Sequence, residues 1–286
     1  MHNPLFGVVM SFIRSFDNEQ VEKLTSKRYE ILFNKLKTDV FCGNPNKAVF
    51  PAIRKNEIDF YYKGGCLYKF SCGIFMRNNA YKNYSDNTDS LDEYEMAKMQ
   101  NENKHTNVTG SAKERNLLNE LYYHTFDPNR NTNTVVLDIE VNLNGNIGAG
   151  KKCDLVLFNT VTLEIMFVEG KVFFDHRVNV KCGCTPKVVQ QVNLYSDAIL
   201  EQEETILNQY CEYVRIINDL FNSHYKFPLK VITPAKLLVY DTPLVRTDNQ
   251  NYSIDTINNA LGKGNVLWCE VAKRPTTDEI WRALCK

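Results

Sequence analysis

The 286-residue chain has nine cysteines and no two of them at CxxC spacing. That excludes the commonest zinc and iron–sulfur frames. The count is odd and the residues are scattered, which fits a reducing compartment better than a disulfide framework. Cys182 and Cys184, flanking Gly183, form the one close pair, and it reads more simply as two thiols in a glycine loop than as a metal clip. No apolar run reaches the length of a membrane span. The start, MHNPLFGVVMSFIRSF, breaks a short apolar run with Arg14 and has no basic leader before it. The expectation is a soluble, cytoplasmic chain with no membrane partner.

Net charge is also missing. Lysine plus arginine and aspartate plus glutamate both number 34, so the whole-molecule field exerts no pull toward nucleic acid. Charge is uneven, however. From residue 171 to 187, Lys171, Arg177, Lys181 and Lys187 stand against Asp175 alone, a local rim able to meet phosphate.

What the chain does have is apolar content, 43% of residues, enough for one large core or a core with a smaller attachment. Three regions follow. Residues 1–77 form an N-terminal α+β region. DNEQVEKLTSKRYEILFNKLKT repeats apolar residues at helical spacing, and DFYYKGGCLYKF reads as a hairpin turning at Gly64-Gly65. Residues 78–110 are polar and asparagine-rich and read as a linker or mobile insertion, with one weak helix between Leu91 and Met99. Residues 111–286 read as an α/β domain. Ser111 with Glu114 marks a helix start. Strands TVVLDIEVNL, KCDLVLFN and TLEIMFVEGKVFF follow, then two helices, strands AKLLVYD and NVLWCEV, and a terminal helix from Thr277. This order predicts a central mixed sheet flanked by helices.

The stretch VEGK, residues 168–171, puts two charges at the end of a strongly apolar strand. If KCDLVLFN and TLEIMFVEGK form a hairpin turning around Val161-Thr162, opposite residues have numbers summing to 323. Asp154 then faces Glu169 with Cβ atoms about 5 Å apart. Glu169 and Lys171 emerge on the same side because strand side chains alternate. Two facing carboxylates on an apolar hairpin repel, and a divalent cation relieves the repulsion. Oxygen ligands with no histidine or thiol at matching spacing suit Mg²⁺ or Mn²⁺ rather than zinc. The plain alternative is a strand salt bridge between Glu169 and Lys171, with Asp154 capping a turn.

On the next helix Gln191 and Tyr195, four apart in QVNLY, share a face. With these residues in order the sequence resembles the PD-(D/E)xK nuclease superfamily, the restriction-endonuclease-like fold, and within it the RecB-like branch with a QxxxY helix. The resemblance rests on Glu114, Asp154 in CDLVLF, Glu169 and Lys171 in VEGK, and Gln191 and Tyr195 in QVNLY, and covers residues 111 to about 200. Cys153 stands where the family commonly has proline, and no CxxC exists for the iron–sulfur cluster of some members. Residues 1–110 have no counterpart in it, so they read as an N-terminal α+β extension.

The resemblance implies a Mg²⁺- or Mn²⁺-dependent deoxyribonuclease, with RNA as the second candidate substrate. Asp154, Glu169, the Gly170 carbonyl and Glu114 would be its metal ligands. Lys171 would orient water or stabilise charge, and Gln191 and Tyr195 would position the phosphate backbone. Glu120 on the same helix competes with Glu114, Glu140 in LDIEV competes as a strand carboxylate, and Gln191 with Tyr195 has the alternative of plain helix packing. The short basic rim suits cutting within a strand better than tracking along one, so an endonuclease is expected. The alternative is a catalytically silent module of the same fold that binds nucleic acid or a partner. Self-association is left open.

Overall fold

The computed structural model describes residues 12–44, 46–78, 80, 90–105, 111–123, 125–127, 129–143, 152–241 and 246–285. These build an α/β fold with two sheets flanked by helices. The single N-terminal helical pattern divides into α1 (Asn18–Leu24) and α2 (Glu30–Val40). The Asp17 side chain caps α1 by accepting from the Gln20 amide. At the other end the Thr25 hydroxyl bonds back to the Val21 carbonyl at 2.9 Å, a local bond that competes with continuing the helix.

The first sheet is an antiparallel meander of β1 (Phe50–Arg54), β2 (Glu57–Tyr62), β3 (Gly65–Ser71) and β4 (Ile74–Arg77). The β2–β3 turn falls on Lys63-Gly64, one residue earlier than expected, because Gly65 already pairs with Tyr62. Both turn residues have positive φ, 44° and 74°, as a two-residue hairpin turn matched to strand twist requires.

Part of the expected polar linker is a full helix, α3 (Leu91–His105). Its attachment is polar, which is why composition concealed it. The Tyr94 hydroxyl donates to Asp39 Oδ2 at 2.5 Å, Lys98 Nζ to the same oxygen at 3.0 Å, and Asn101 Nδ2 to the Tyr62 carbonyl at 2.7 Å. The linker reading is therefore corrected over 91–105. Residues 81–89 and 106–110 lie outside the described residues.

The second sheet follows α4 (Ser111–Tyr122). Its strands are β5 (Thr134–Val141), β6 (Cys153–Asn159), β7 (Glu164–Val172), β8 (Lys230–Asp241) and β9 (Val266–Glu270), adjacent in that order. The pairs from β5 to β7 are antiparallel and those from β7 to β9 parallel, making a mixed sheet. The reversal needs a long crossover. It is supplied by α5 (Lys187–Glu201) and α6 (Glu203–Phe221), which lie against β8. A helix absent from the sequence reading, α7 (Asp248–Leu261), precedes β9, and α8 (Thr277–Leu284) closes the fold. α7 turns only Ser253, Ile254, Ile257 and Leu261 inward, too thin a stripe to stand out.

The hydrophobic core is continuous from Phe12 to Leu284. Phe50 of β1 stacks edge-on against Tyr122 of α4 with centroids 5.2 Å apart, and Phe33 of α2 meets Phe221 of α6 at 6.1 Å. The N-terminal sheet is thus seated on the second sheet's layer by shared packing. Among the described residues no helix is long and apolar enough to cross a membrane.

Candidate active site

The β6–β7 pairing runs Leu155↔Val168 to Asn159↔Glu164, the expected register, and continuing it by one residue sets Asp154 opposite Glu169. The backbone amide of Gly170 donates to Asp154 Oδ2 at 2.8 Å, fixing that carboxylate at the sheet end. Gly170 has a packing reason to lack a side chain, since a Cβ there would lie 2.6 Å from Leu118 Cδ2 of α4. This close approach brings α4 down onto β7 and carries Glu114, one turn before Leu118, to the site.

Lys171 is the centre of the arrangement. Its Nζ lies 2.5 Å from Glu169 Oε1, 3.3 Å from Asp154 Oδ2 and 3.4 Å from Glu114 Oε1, and it donates to the Gly170 carbonyl at 2.6 Å. Gln191 of α5 donates through Nε2 to Glu169 Oε1 at 2.7 Å and to the Tyr195 hydroxyl at 2.9 Å. All six sequence-predicted residues therefore meet at one place. Glu114, expected also to mark a helix cap, turns its carboxylate toward Lys171.

The charges do not balance. Glu169 and Lys171 are each 1% exposed, and three carboxylates share one ammonium. Glu169 Oε2 and Glu114 Oε2 are buried without any hydrogen-bond partner. Burial pushes the Glu114 carboxyl up to about 7, with the negative charge of Asp154 adding to burial and Lys171 opposing it. Burial and the Asp154 charge hold Glu169 well above the usual carboxylate range. For Lys171 burial works downward, but Asp154, Glu169 and Glu114 outweigh it and the ammonium is held above its ordinary value.

These groups floor a cavity of about 370 Å³. Residues from elsewhere in the chain complete it. Arg115 of α4, Lys152 before β6 and Arg177 after β7 contribute positive charge, and Tyr61 and Gly64 come from the N-terminal β2–β3 hairpin. The Arg177 guanidinium is held by Asp175 at 2.5 Å. Glu140 also lines the cavity. Pairs Ile139↔Leu155 and Val141↔Cys153 bracket it opposite Asp154, with a left-handed φ of 52°, and burial together with Asp154 raises its carboxyl. Glu120, the alternative to Glu114, points elsewhere and pairs with Arg274. Sequence adjacency to Glu114 and Asp154 is the only signal for Arg115 and Lys152, and no local signal marks Tyr61.

Among the described residues no three aspartate, glutamate, histidine or cysteine side chains form a ready-made metal cage. A hard cation that keeps its waters needs only one or two carboxylates and an oxygen or two more. Asp154, Glu169 and the Gly170 carbonyl, grouped around Lys171 Nζ, are of the number and kind that could meet that requirement, and Oε2 of Glu169 and of Glu114 lie buried beside them without a hydrogen-bond partner. Comparison with protein-family models, curated proteins and solved structures gives no match to this chain.

Proposed function

We propose that the protein is a Mg²⁺- or Mn²⁺-dependent nuclease hydrolysing phosphodiester bonds, DNA first and RNA second, as a member of the PD-(D/E)xK superfamily. One observation carries the reading. A buried ammonium sits among Glu169, Asp154, Glu114 and the Gly170 carbonyl while two carboxylate oxygens beside it lack partners, in a cavity whose walls carry Arg115, Lys152 and Arg177. Buried groups perturbed by desolvation and like charge in a cleft support reading it as a functional site.

Asp154, Glu169 and the Gly170 carbonyl, with Glu114, would hold the cation. Once bound, it would lower the pKa of a water and offset the charge that builds on the transferring phosphate. The residues themselves supply the rest. Lys171 keeps its proton and offers positive charge to a phosphate oxygen or orients the attacking water. Gln191 fixes the rotamer of Glu169, and Tyr195 accepts the second amide hydrogen, so neither turns freely. Arg115, Lys152 and Arg177 draw the polymer in through phosphate contacts that carry no base information.

Incubation with linear, closed circular and single-stranded DNA and RNA tests this reading. Cleavage is expected in Mg²⁺ or Mn²⁺ and should be lost in chelator and in Lys171→Ala. Binding without cleavage under every condition would replace the nuclease by a silent binding module.

A further inference from the structure

All nine cysteines are free thiols, and four of them, Cys72, Cys182, Cys184 and Cys285, are exposed. Only Cys182 and Cys184 stand within two residues of each other, and the connection from β7 to α5 folds around them. The Cys184 amide donates to the Lys181 carbonyl at 3.1 Å, and Gly183 between the thiols has a φ of 85°. A bond from the fourth residue back to the first, with a left-handed third residue, makes a type II turn, and glycine adopts that third conformation without strain. The turn is anchored. Asn249 Oδ1 of α7 accepts from the Cys182 amide at 2.9 Å, and the Val180 amide donates to the Ser253 hydroxyl at 3.0 Å. At the base of the loop the Val188 amide donates to the carbonyl of Arg177 at 3.0 Å, and Arg177 is the residue that this connection brings to the cavity.

Consecutive Cα atoms are about 3.8 Å apart, and bending the chain through the turn sets the Cα atoms of Cys182 and Cys184 roughly 5–6 Å from each other. That lies inside the span a disulfide bridges. Lys181 and Lys187, on either side of the pair, are exposed as well. Two reachable thiols between two ammonium groups suit a disulfide that carries negative charge. We infer that Cys182 and Cys184 form a redox-active dithiol whose substrate is a small anionic disulfide of the glutathione type. One cysteine thiolate attacks a sulfur of that disulfide, its S–S bond breaks, and one glutathione thiolate leaves with the bonding pair. The second cysteine thiolate then attacks the protein-side sulfur of the mixed disulfide and expels the other glutathione. The two protons given up by the cysteines end on the two departing thiolates, so the pair is oxidised by two electrons and the small disulfide is reduced to two thiols. A ring closed over a single intervening residue is strained, and strained, exposed disulfides are the readily reduced ones. The pair therefore cycles with the surrounding thiols instead of stapling the loop, which is how disulfides behave in reducing compartments.

The test reads mass and so stands apart from any nuclease activity. Reduced full-length protein is held with oxidised glutathione at neutral pH, quenched with acid at intervals and mapped by peptide mass spectrometry. The peptide holding Cys182 and Cys184 should lose two hydrogens and keep no glutathione, while glutathione found on Cys72 or Cys285 should stay there. Cys182→Ser and Cys184→Ser, both at exposed positions that leave the core untouched, should each trap one glutathione on the remaining thiol. The amount trapped should exceed that on the parent's pair by about tenfold or more, because the neighbouring thiol that clears the adduct at high effective concentration is gone. Reduced glutathione at millimolar concentration should restore both thiols of the parent. A parent pair that stays reduced, that stops at mixed disulfides, or that closes and then resists reduced glutathione overturns the inference.

Discussion

Two buried charge clusters on one sheet behave in opposite ways. On β5, Asp138 is wholly buried and every lone pair is used. Arg14 donates from Nε at 3.0 Å and Nη2 at 2.8 Å, Arg54 from Nη1 at 2.8 Å, the Ile139 amide at 2.8 Å and the Tyr210 hydroxyl at 3.2 Å. Burial pushes Asp138 up, but Arg54 and Arg14 outweigh it and hold it below the usual carboxylate range. On β7 the proportions invert, with three carboxylates around Lys171 and two oxygens unpartnered. A saturated network fixes structure, here tying the residues before α1 and at the end of β1 to the second sheet. An unsaturated one held in place by the surrounding packing is the kind of arrangement that chemistry requires.

The largest expected effect comes from breaking the saturated cluster. Asp138→Ala strands two guanidinium groups in the interior and should cost about 3–5 kcal/mol of stability, read from denaturant unfolding. If Asp138→Ala is harmless, the contrast between the clusters collapses.

Breaking the other cluster should instead cost activity. Lys171→Ala and Asp154→Ala should each lower cleavage by about 10²–10³-fold or more, measured as single-turnover rates in Mn²⁺. In chelator, Asp154→Asn should leave the protein as stable or more stable, because it removes the negative charge that, after burial, pushes the Glu114 and Glu169 carboxyls upward. A clear drop in melting temperature would mark the β7 cluster as a structural ion pair.

A pH prediction follows from Glu114. Its carboxyl rises from the ordinary 4.5 to about 7 on folding, so between those values the native state holds a proton that the unfolded chain has released. Stability contributed by this group is fully present below about pH 4.5 and is lost as pH rises through 7. Metal-free protein should therefore lose about 1–3 kcal/mol between pH 5 and 8. Glu114→Gln should flatten that slope in melts across the range. An unchanged slope would remove Glu114 from the cluster.

The smallest effect sharpens the assignment on α4. Glu120 pairs with Arg274 at a surface where Arg274 is 59% exposed. Glu120→Ala should change stability by less than about 0.5–1 kcal/mol and leave the cleavage rate untouched. A large loss of cleavage would exchange the roles of Glu120 and Glu114.

The sequence carried more of the site than of the surrounding fold. Asp154, Glu169 and Lys171 could be brought together by counting outward from a hairpin turn, because strand alternation is strict and one register buries the apolar faces. Gln191 and Tyr195 share a face by helical spacing alone. Arg115, Lys152 and Tyr61 reach the cavity only through the packing of α4 and the N-terminal sheet, which no local pattern encodes. The misread elements share one physical cause. α3 is anchored by Tyr94, Lys98 and Asn101 through buried hydrogen bonds, and α7 by a few inward residues, so apolar periodicity underestimates both.

If the protein is the metal-dependent nuclease proposed above, the β6–β7 carboxylates take up a divalent cation. Calorimetric titration of the parent protein, Asp154→Ala and Lys171→Ala with Mn²⁺ at pH 8 tests it most directly. Binding should be measurable in the parent and greatly weakened in Asp154→Ala. In Lys171→Ala it should be equal or tighter, because the ammonium that shares those oxygens is gone. No heat from the parent, or equal binding by Asp154→Ala, would contradict the account.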